Sequence, residues 1–145
     1  MIKINDILKQ CNIIEVIGDD SRLISGVAFD SRKCSEEMAF FAIRGTQVDG
    51  HNFITKVIEQ GCKVIVCEQI PETITDNVTY YVVDNTAKSL GYAASEFYDR
   101  PSEKLRLVGV TGTNGKTTIA TLLYRLFYNA GYPCGLLSTI ENRIN

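Results

Sequence analysis

Nine consecutive residues carry the clearest chemistry in the chain: Val110-Thr111-Gly112-Thr113-Asn114-Gly115-Lys116-Thr117-Thr118. Two glycines let a backbone curl until successive N–H groups aim at one anion. A lysine directly after the second glycine can reach the β- and γ-phosphates of a nucleotide, and the Thr117 hydroxyl can ligate Mg²⁺. The run sits between an apolar stretch, predicted to be a strand over 105–111, and a stretch of helical period. That is the context a phosphate loop requires. The general pattern G-x-x-x-x-G-K-[ST] expects its first glycine where Val110 stands; Gly109 is one residue early. A glycine-rich turn with an incidental lysine is the bland reading. Strand, loop, Lys-Thr and helix all agree on the other one, a nucleoside triphosphate held by Gly112, Thr113, Asn114, Gly115, Lys116, Thr117 and Thr118. Lys116 is the candidate catalytic group and Thr117 the candidate metal ligand.

The elements that must position this loop follow from periodicity. After the loop, Ile119, Leu122, Leu123, Leu126, Phe127 and Ala130 repeat at helical spacing, predicting a helix with that stripe in the core; Gly131 and Pro133 stop it. A further strand is predicted over 135–139. Upstream, Asn5 or Asp6 can cap a first helix with Ile4, Ile7, Leu8 and Cys11 on one face. Strands are predicted over 24–29, 38–43, 62–67 and 79–83. Helices are predicted over 53–60, capped by Asn52 and closed by Gly61, and from 84 or 85 to 98. Strands alternating with helices predict an α/β protein with a parallel sheet. Asp99-Arg100-Pro101-Ser102 breaks the pattern, because a residue before proline is pushed out of helical geometry. A domain boundary there gives a small α/β unit over 1–100 and, over 101–145, the first strand–loop–helix unit of a parallel-sheet ATPase domain. One such unit is too small to bury both faces of a parallel sheet, so the chain is expected to be the N-terminal part of a longer protein, or its second unit to pack back on the first.

Composition excludes several classes. The 145 residues are 45% hydrophobic and 22% charged, with 15 Lys+Arg against 17 Asp+Glu. That supports a folded core and leaves no basic excess for a dedicated nucleic-acid binder. No apolar run approaches the roughly 20 residues of a membrane helix, and the alternating N-terminus is not a signal peptide. Five cysteines, an odd number with no C-x-x-C pair, predict thiols in a reducing cytoplasm. Cys62 and Cys67 are expected on opposite sides of a strand. The single histidine, His51, excludes a metal site needing two or three histidines from this chain, and its expected role is structural.

The run Gly112-Thr113-Asn114-Gly115-Lys116-Thr117-Thr118, preceded by Val110-Thr111, resembles the ATP loop of the Mur ligase superfamily, in which a threonine-type residue commonly stands before the G-T-N-G-K core. The upstream runs Asp30-Ser31-Arg32, Ala39-Phe40-Phe41-Ala42-Ile43-Arg44-Gly45 and Asp49-Gly50-His51-Asn52-Phe53-Ile54 resemble the N-terminal domain of two of its members. One adds the third residue of the stem peptide to UDP-N-acetylmuramoyl-L-Ala-D-Glu; the other adds D-Ala-D-Ala to the tripeptide. G-T-N-G-K-T-T is similar to the first.

The resemblance implies a cytoplasmic ligase that uses ATP and Mg²⁺. It phosphorylates the D-Glu side-chain carboxylate, and the amine of meso-diaminopimelate or L-lysine then attacks the acyl phosphate. It also implies that residues 1–100 hold the UDP end of the substrate, through Phe29 and Ser31 and through Thr46, Gln47 and Val48. The amino-acid site, the further metal ligands and a carbamylated lysine would lie outside this chain, so the fragment alone is expected to be inactive. No membrane partner is expected, and the oligomeric state is left open. The alternatives are the D-Ala-D-Ala-adding ligase and a stand-alone UDP-sugar or nucleotide-binding module. A folylpolyglutamate synthase would not need the D-S-R and D-G-H-x-F-I motifs. A small GTPase is disfavoured because no guanine-reading N-K-x-D motif is present.

Overall fold

A computed structural model of the chain describes residues 1–46 and 48–144. The chain divides into two units, Met1–Leu105 and Arg106–Asn145.

In the first unit, strands β1 (Ile2–Lys3), β2 (Ile13–Ile17), β3 (Leu23–Ile24), β4 (Gly26–Ala28), β5 (Met38–Phe41), β6 (Val64–Cys67) and β7 (Thr79–Val83) accompany helices α1 (Ile4–Ile7), α2 (Ile54–Glu59), α3 (Thr86–Phe97) and α4 (Pro101–Lys104). Five strands form one sheet in the order β2-β7-β6-β5-β4. β4 to β7 run parallel, and β2 pairs antiparallel with β7 at one edge. Every residue of β6 and β7 is buried, as the near-continuous apolar runs Val64-Ile65-Val66-Cys67 and Thr79-Tyr80-Tyr81-Val82-Val83 require of a sheet covered on both faces.

Strand alternation sorts these side chains into two cores. Ala39, Phe41, Val64, Val66, Tyr81 and Val83 join Ile4, Ile7, Leu8 and Ala93 on one face. Phe40, Ile65, Cys67, Tyr80 and Val82 join Ile54 and Val57 on the other. Helices α1 and α3 therefore cover one face and α2 the other. Cys62 lies in the same core as Cys67, not across the sheet from it. The reason is that Cys62 precedes β6: it sits in the turn after α2, its N–H donating to the Val57 carbonyl, 2.9 Å. The Tyr81 hydroxyl donates to Asn5 Oδ1, 2.9 Å, and burial pushes its pKa up to about 12.

The antiparallel strand β2 is absent from the sequence expectation, and so is the small β1–β3 ribbon. The α2 region begins with a 3₁₀ turn over Gly50–Phe53, whose cap is Asp49 rather than Asn52. The chain leaves α3 through Asp99 and Arg100, both at positive φ, 60° and 49°. Arg100 is thus out of right-handed helical geometry before Pro101, as expected.

The second unit holds α5 (Lys116–Asn129) and the antiparallel pair β8 (Gly135–Leu137) and β9 (Asn142–Ile144). Residues 105–111 are not a strand. The expected ladder is missing because no strand among the described residues pairs with them; Leu107 and Val108 are each 70% exposed. The α5 stripe is not core either: Ile119, Leu122, Leu126 and Phe127 are all exposed. No helix among the described residues is long and apolar enough to cross a membrane.

Candidate functional site

The phosphate loop reaches α5 through Gly115, the N-cap, at φ +77° and ψ 0°. That left-handed conformation strains any residue with a Cβ. It turns the chain so that Lys116 opens the helix. No side chain caps this helix end, and its first turn holds no acidic residue, so neither a cap nor a carboxylate competes for its free N–H groups. The Lys116 ammonium folds back over the loop and donates to the carbonyls of Gly112 and of Thr113, the latter at 3.3 Å. Thr113, Asn114 and Thr118 are exposed and Thr117 is half-buried. The arrangement is an uncapped helix start with one cation folded over the loop before it. A threonine hydroxyl in the first helical turn suits a Mg²⁺ shared with a phosphate chain. Among the described residues no group of three or more His, Cys, Asp or Glu could hold a metal by itself.

In the first unit, the remaining candidates lie at the carboxyl ends of neighbouring parallel strands, the edge where open α/β sheets bind ligands. β4 ends into Phe29, Asp30, Ser31 and Arg32. Arg32 closes its guanidinium on Asp30, Nε to Oδ1 at 2.9 Å and an Nη to Oδ2 at 2.7 Å. This pairing holds the Asp30 carboxyl down at about 2. Asp30 and Arg32 thus satisfy each other, while Ser31 between them in sequence is buried and Phe29 stands 64% exposed.

β5 ends into the loop that carries Thr46 and Val48, both exposed; Gln47 lies outside the described residues. The loop is pinched at its base. Gly45 N–H donates to the Val48 carbonyl at 3.0 Å and Gly50 N–H to the Ile43 carbonyl at 2.8 Å. Arg44 and Asp49 pair as an antiparallel bridge. Asp49 accepts from the His51 backbone N–H at 2.9 Å and from ring Nδ1 at 2.6 Å. The His51 backbone N–H foremost, then its ring and Arg44, hold the Asp49 carboxyl below its ordinary range. His51 Nε2 accepts from the Glu68 N–H, 2.9 Å, just past β6. Glu68 Oε1 in turn accepts from the Thr86 N–H and hydroxyl, both 3.0 Å, at the start of α3. Arg44 Nε stands 3.3 Å from Glu68 Oε2 and 3.7 Å from Asp49 Oδ2.

The expected UDP-end residues Phe29, Ser31, Thr46 and Val48 therefore share one sheet edge. The phosphate-loop residues share the other unit. The wiring of Arg44, Asp49, Glu68 and Thr86 is invisible to motif reading, which takes Asp49-Gly50-His51-Asn52 for a turn and a helix cap. The spacing of Asp49 and His51 is the one local signal; Glu68 and Thr86 enter only through strand adjacency.

Comparison with known proteins identifies the family. Residues 23–98 match the Mur ligase family, catalytic domain, and residues 110–145 the Mur ligase middle domain. The chain is 51% identical over 144 residues to the UDP-N-acetylmuramoyl-L-alanyl-D-glutamate–2,6-diaminopimelate ligase of Phocaeicola vulgatus, and 49% to that of Cytophaga hutchinsonii. In each case 99% of this chain spans 30% of the relative's length. A solved structure of a ligase of that name superposes with a TM-score of 0.74 at 22% identity, covering 99% of this chain and 28% of the other. The D-alanyl-D-alanyl ligase of Acinetobacter baumannii gives 0.61 at 24%, covering 88% and 27%; both likenesses are of fold. Two units matched in order, and one relative more than half identical across the chain, settle the kinship: the chain belongs to the Mur ligase family.

Proposed function

We propose that the chain is the substrate- and ATP-binding front part of a ligase that joins diaminopimelate to UDP-N-acetylmuramoyl-L-Ala-D-Glu. Residues 1–100 take the UDP end and residues 101–145 begin the ATP-binding domain. What carries the reading is Lys116 and the uncapped first turn of α5, brought together by the left-handed Gly115 in a chain 51% identical to a ligase of that name. Diaminopimelate is preferred to L-lysine because the relatives at 51% and 49% identity are named for it. The D-Ala-D-Ala-adding alternative has only the weaker likeness of 24% identity behind it.

The chemistry explains the residues. A carboxylate is a poor electrophile until a phosphoryl group is transferred to it; the amine then displaces phosphate and an amide remains. Lys116 exchanges two loop carbonyls for phosphate oxygens and stabilises the charge that moves between them. Thr117 would help hold Mg²⁺, which would supply neutralisation of that charge. Gly112, Thr113, Asn114 and Gly115 cradle the phosphates through their backbone, and Thr118 extends the cradle into the helix.

At the other site the exposed Phe29 ring offers a face to a base. The Ser31 hydroxyl can bond uracil or diphosphate, and the Thr46–Val48 backbone closes the pocket. A cytoplasmic setting accords with the unpaired thiols of Cys11, Cys34, Cys62 and Cys67.

Calorimetric titration tests the reading. UDP-N-acetylmuramoyl-L-Ala-D-Glu should give saturable heat that Ser31→Ala weakens by about tenfold, the scale of one hydrogen bond to a charged group. ATP·Mg²⁺, titrated separately, should lose its heat in Lys116→Ala. With 30% of its relatives' length, the chain alone should form no amide. ATP binding without any binding of the UDP compound would leave a nucleotide-binding module and remove the ligase assignment.

A further inference from the structure

The described loop between β5 and α2 is held by more than its own turn. The Glu68 backbone N–H can only donate, so His51 Nε2 accepts and the ring proton sits on Nδ1, aimed at Asp49. His51 thereby ties the base of the 45–48 loop to the end of β6. Glu68 continues the tie to α3 through Thr86 and back to Arg44 at the other loop base. The His51 side chain is 14% exposed and that of Glu68 19%, so these bonds are partly shielded from water. Gly50 completes the fit: a Cβ there would stand 2.7 Å from both N and O of Ile43.

We propose that His51, with Arg44, Asp49 and Glu68, forms a brace of positioning residues that fixes the loop base next to Thr46 and Val48 for the UDP end of the substrate. The inference rests on the UDP reading of Thr46–Val48. None of the four touches the ligand in this account. The brace acts by holding the loop base, Arg44 and Gly45 against Val48 and Asp49, beforehand, so that binding does not have to freeze it. It spans the ends of the adjacent parallel strands β5 and β6, and Thr86 links it to the start of α3.

The test titrates UDP-N-acetylmuramoyl-L-Ala-D-Glu into the 145-residue chain and its variants, with thermal unfolding recorded for each. His51→Ala should raise Kd by about tenfold or more, since both ring bonds vanish together. His51→Asn keeps a donor where Nδ1 stands and His51→Gln keeps an acceptor near Nε2, so each should recover Kd to within about threefold of the parent. Val57→Ala, on the buried face of α2, should lower the unfolding temperature and leave Kd unchanged; a general loss of stability would move both. Parent-like binding by His51→Ala overturns the brace and leaves the UDP reading standing. So does a Val57→Ala variant that weakens binding as much as His51→Ala. Should His51→Ala fail to fold, the Asn and Gln variants decide: binding no better than about a tenth of the parent's in both overturns the proposal. Absence of binding by the parent itself removes the UDP reading, and the brace with it.

Discussion

Arg32 reaches back two residues and places both prongs of its guanidinium on Asp30, at 2.9 and 2.7 Å. Bidentate geometry stabilises the ionised carboxylate, which is why the Asp30 pKa falls from 3.8 to about 2. The folded value lies below the unfolded one. Ionised Asp30 therefore contributes stability that is complete above pH 3.8 and is lost as pH falls through about 2. The Arg32 side chain is exposed and Asp30 only partly covered, so salt screens the pair and its main effect is local: it holds the turn that carries Ser31. Carbon-detected NMR titration of the Asp30 carboxyl should show it titrating near 2 in the parent and clearly higher in Arg32→Gln, which loses the guanidinium and keeps the backbone donor. An unchanged low value in the variant would mean that backbone donors, chiefly the Arg32 N–H at 3.0 Å, hold the carboxylate without the guanidinium. At this scale the sequence reveals the chemistry of Gly115 and Lys116, because one local conformation makes the site. It conceals Glu68 and Thr86, whose roles come from strand neighbours 17 and 35 residues from His51.

At the scale of elements, α3 is the best specified. Asn85 Oδ1 accepts from the Lys88 N–H at 2.8 Å, a side-chain N-cap, while Thr86 hands its own N–H to Glu68. Asn85→Ala should cost about 1 kcal/mol, measured as a lower urea midpoint with an unchanged slope. A midpoint equal to the parent's would mean that Glu68 alone suffices at this end. Sequence reading finds β7 at its observed bounds, and α3 to within a residue or two. Both have strong periodicity and a capping or turn residue at the boundary. It misses β2, because Ile13-Ile14-Glu15-Val16-Ile17 shows no clean alternation. The strand is an edge with most residues exposed and a register shift between Ile13 and Glu15. It also predicts a strand over 105–111 that is not there. Apolar β-branched content marks a segment able to pair, but pairing needs a neighbour, and none is present among the described residues. The α5 stripe misleads in the same way: helical spacing of leucines identifies a face meant for burial and says nothing about what lies on it.

The two units of the whole molecule differ in how they meet water. Both hydrophobic cores of the first unit are built from residues between Ile4 and Ala93, with Phe97 packed against one of them. That unit is closed by its own helices. In the second, Leu136 is the sole buried hydrophobic residue described, whereas Leu107, Val108, Leu122 and Leu126 are each more than half exposed. A cluster of large exposed apolar side chains on one short segment favours association with other apolar surface and binding of hydrophobic dyes. The consequence is a sharp asymmetry on truncation. A chain of residues 1–105 should keep a cooperative unfolding transition and the affinity for UDP-N-acetylmuramoyl-L-Ala-D-Glu, since its cores and its brace are complete. It should also sediment as a monomer and leave 8-anilinonaphthalene-1-sulfonate dark. The 145-residue chain should brighten the dye, and Leu122→Glu with Leu126→Glu should remove most of that signal without moving the main unfolding transition. Dye binding by residues 1–105 equal to that of the full chain would put the exposed apolar surface on the β2 edge, where Ile14 is 65% exposed, and would make that edge strand, rather than the phosphate-loop unit, the sticky face of the molecule.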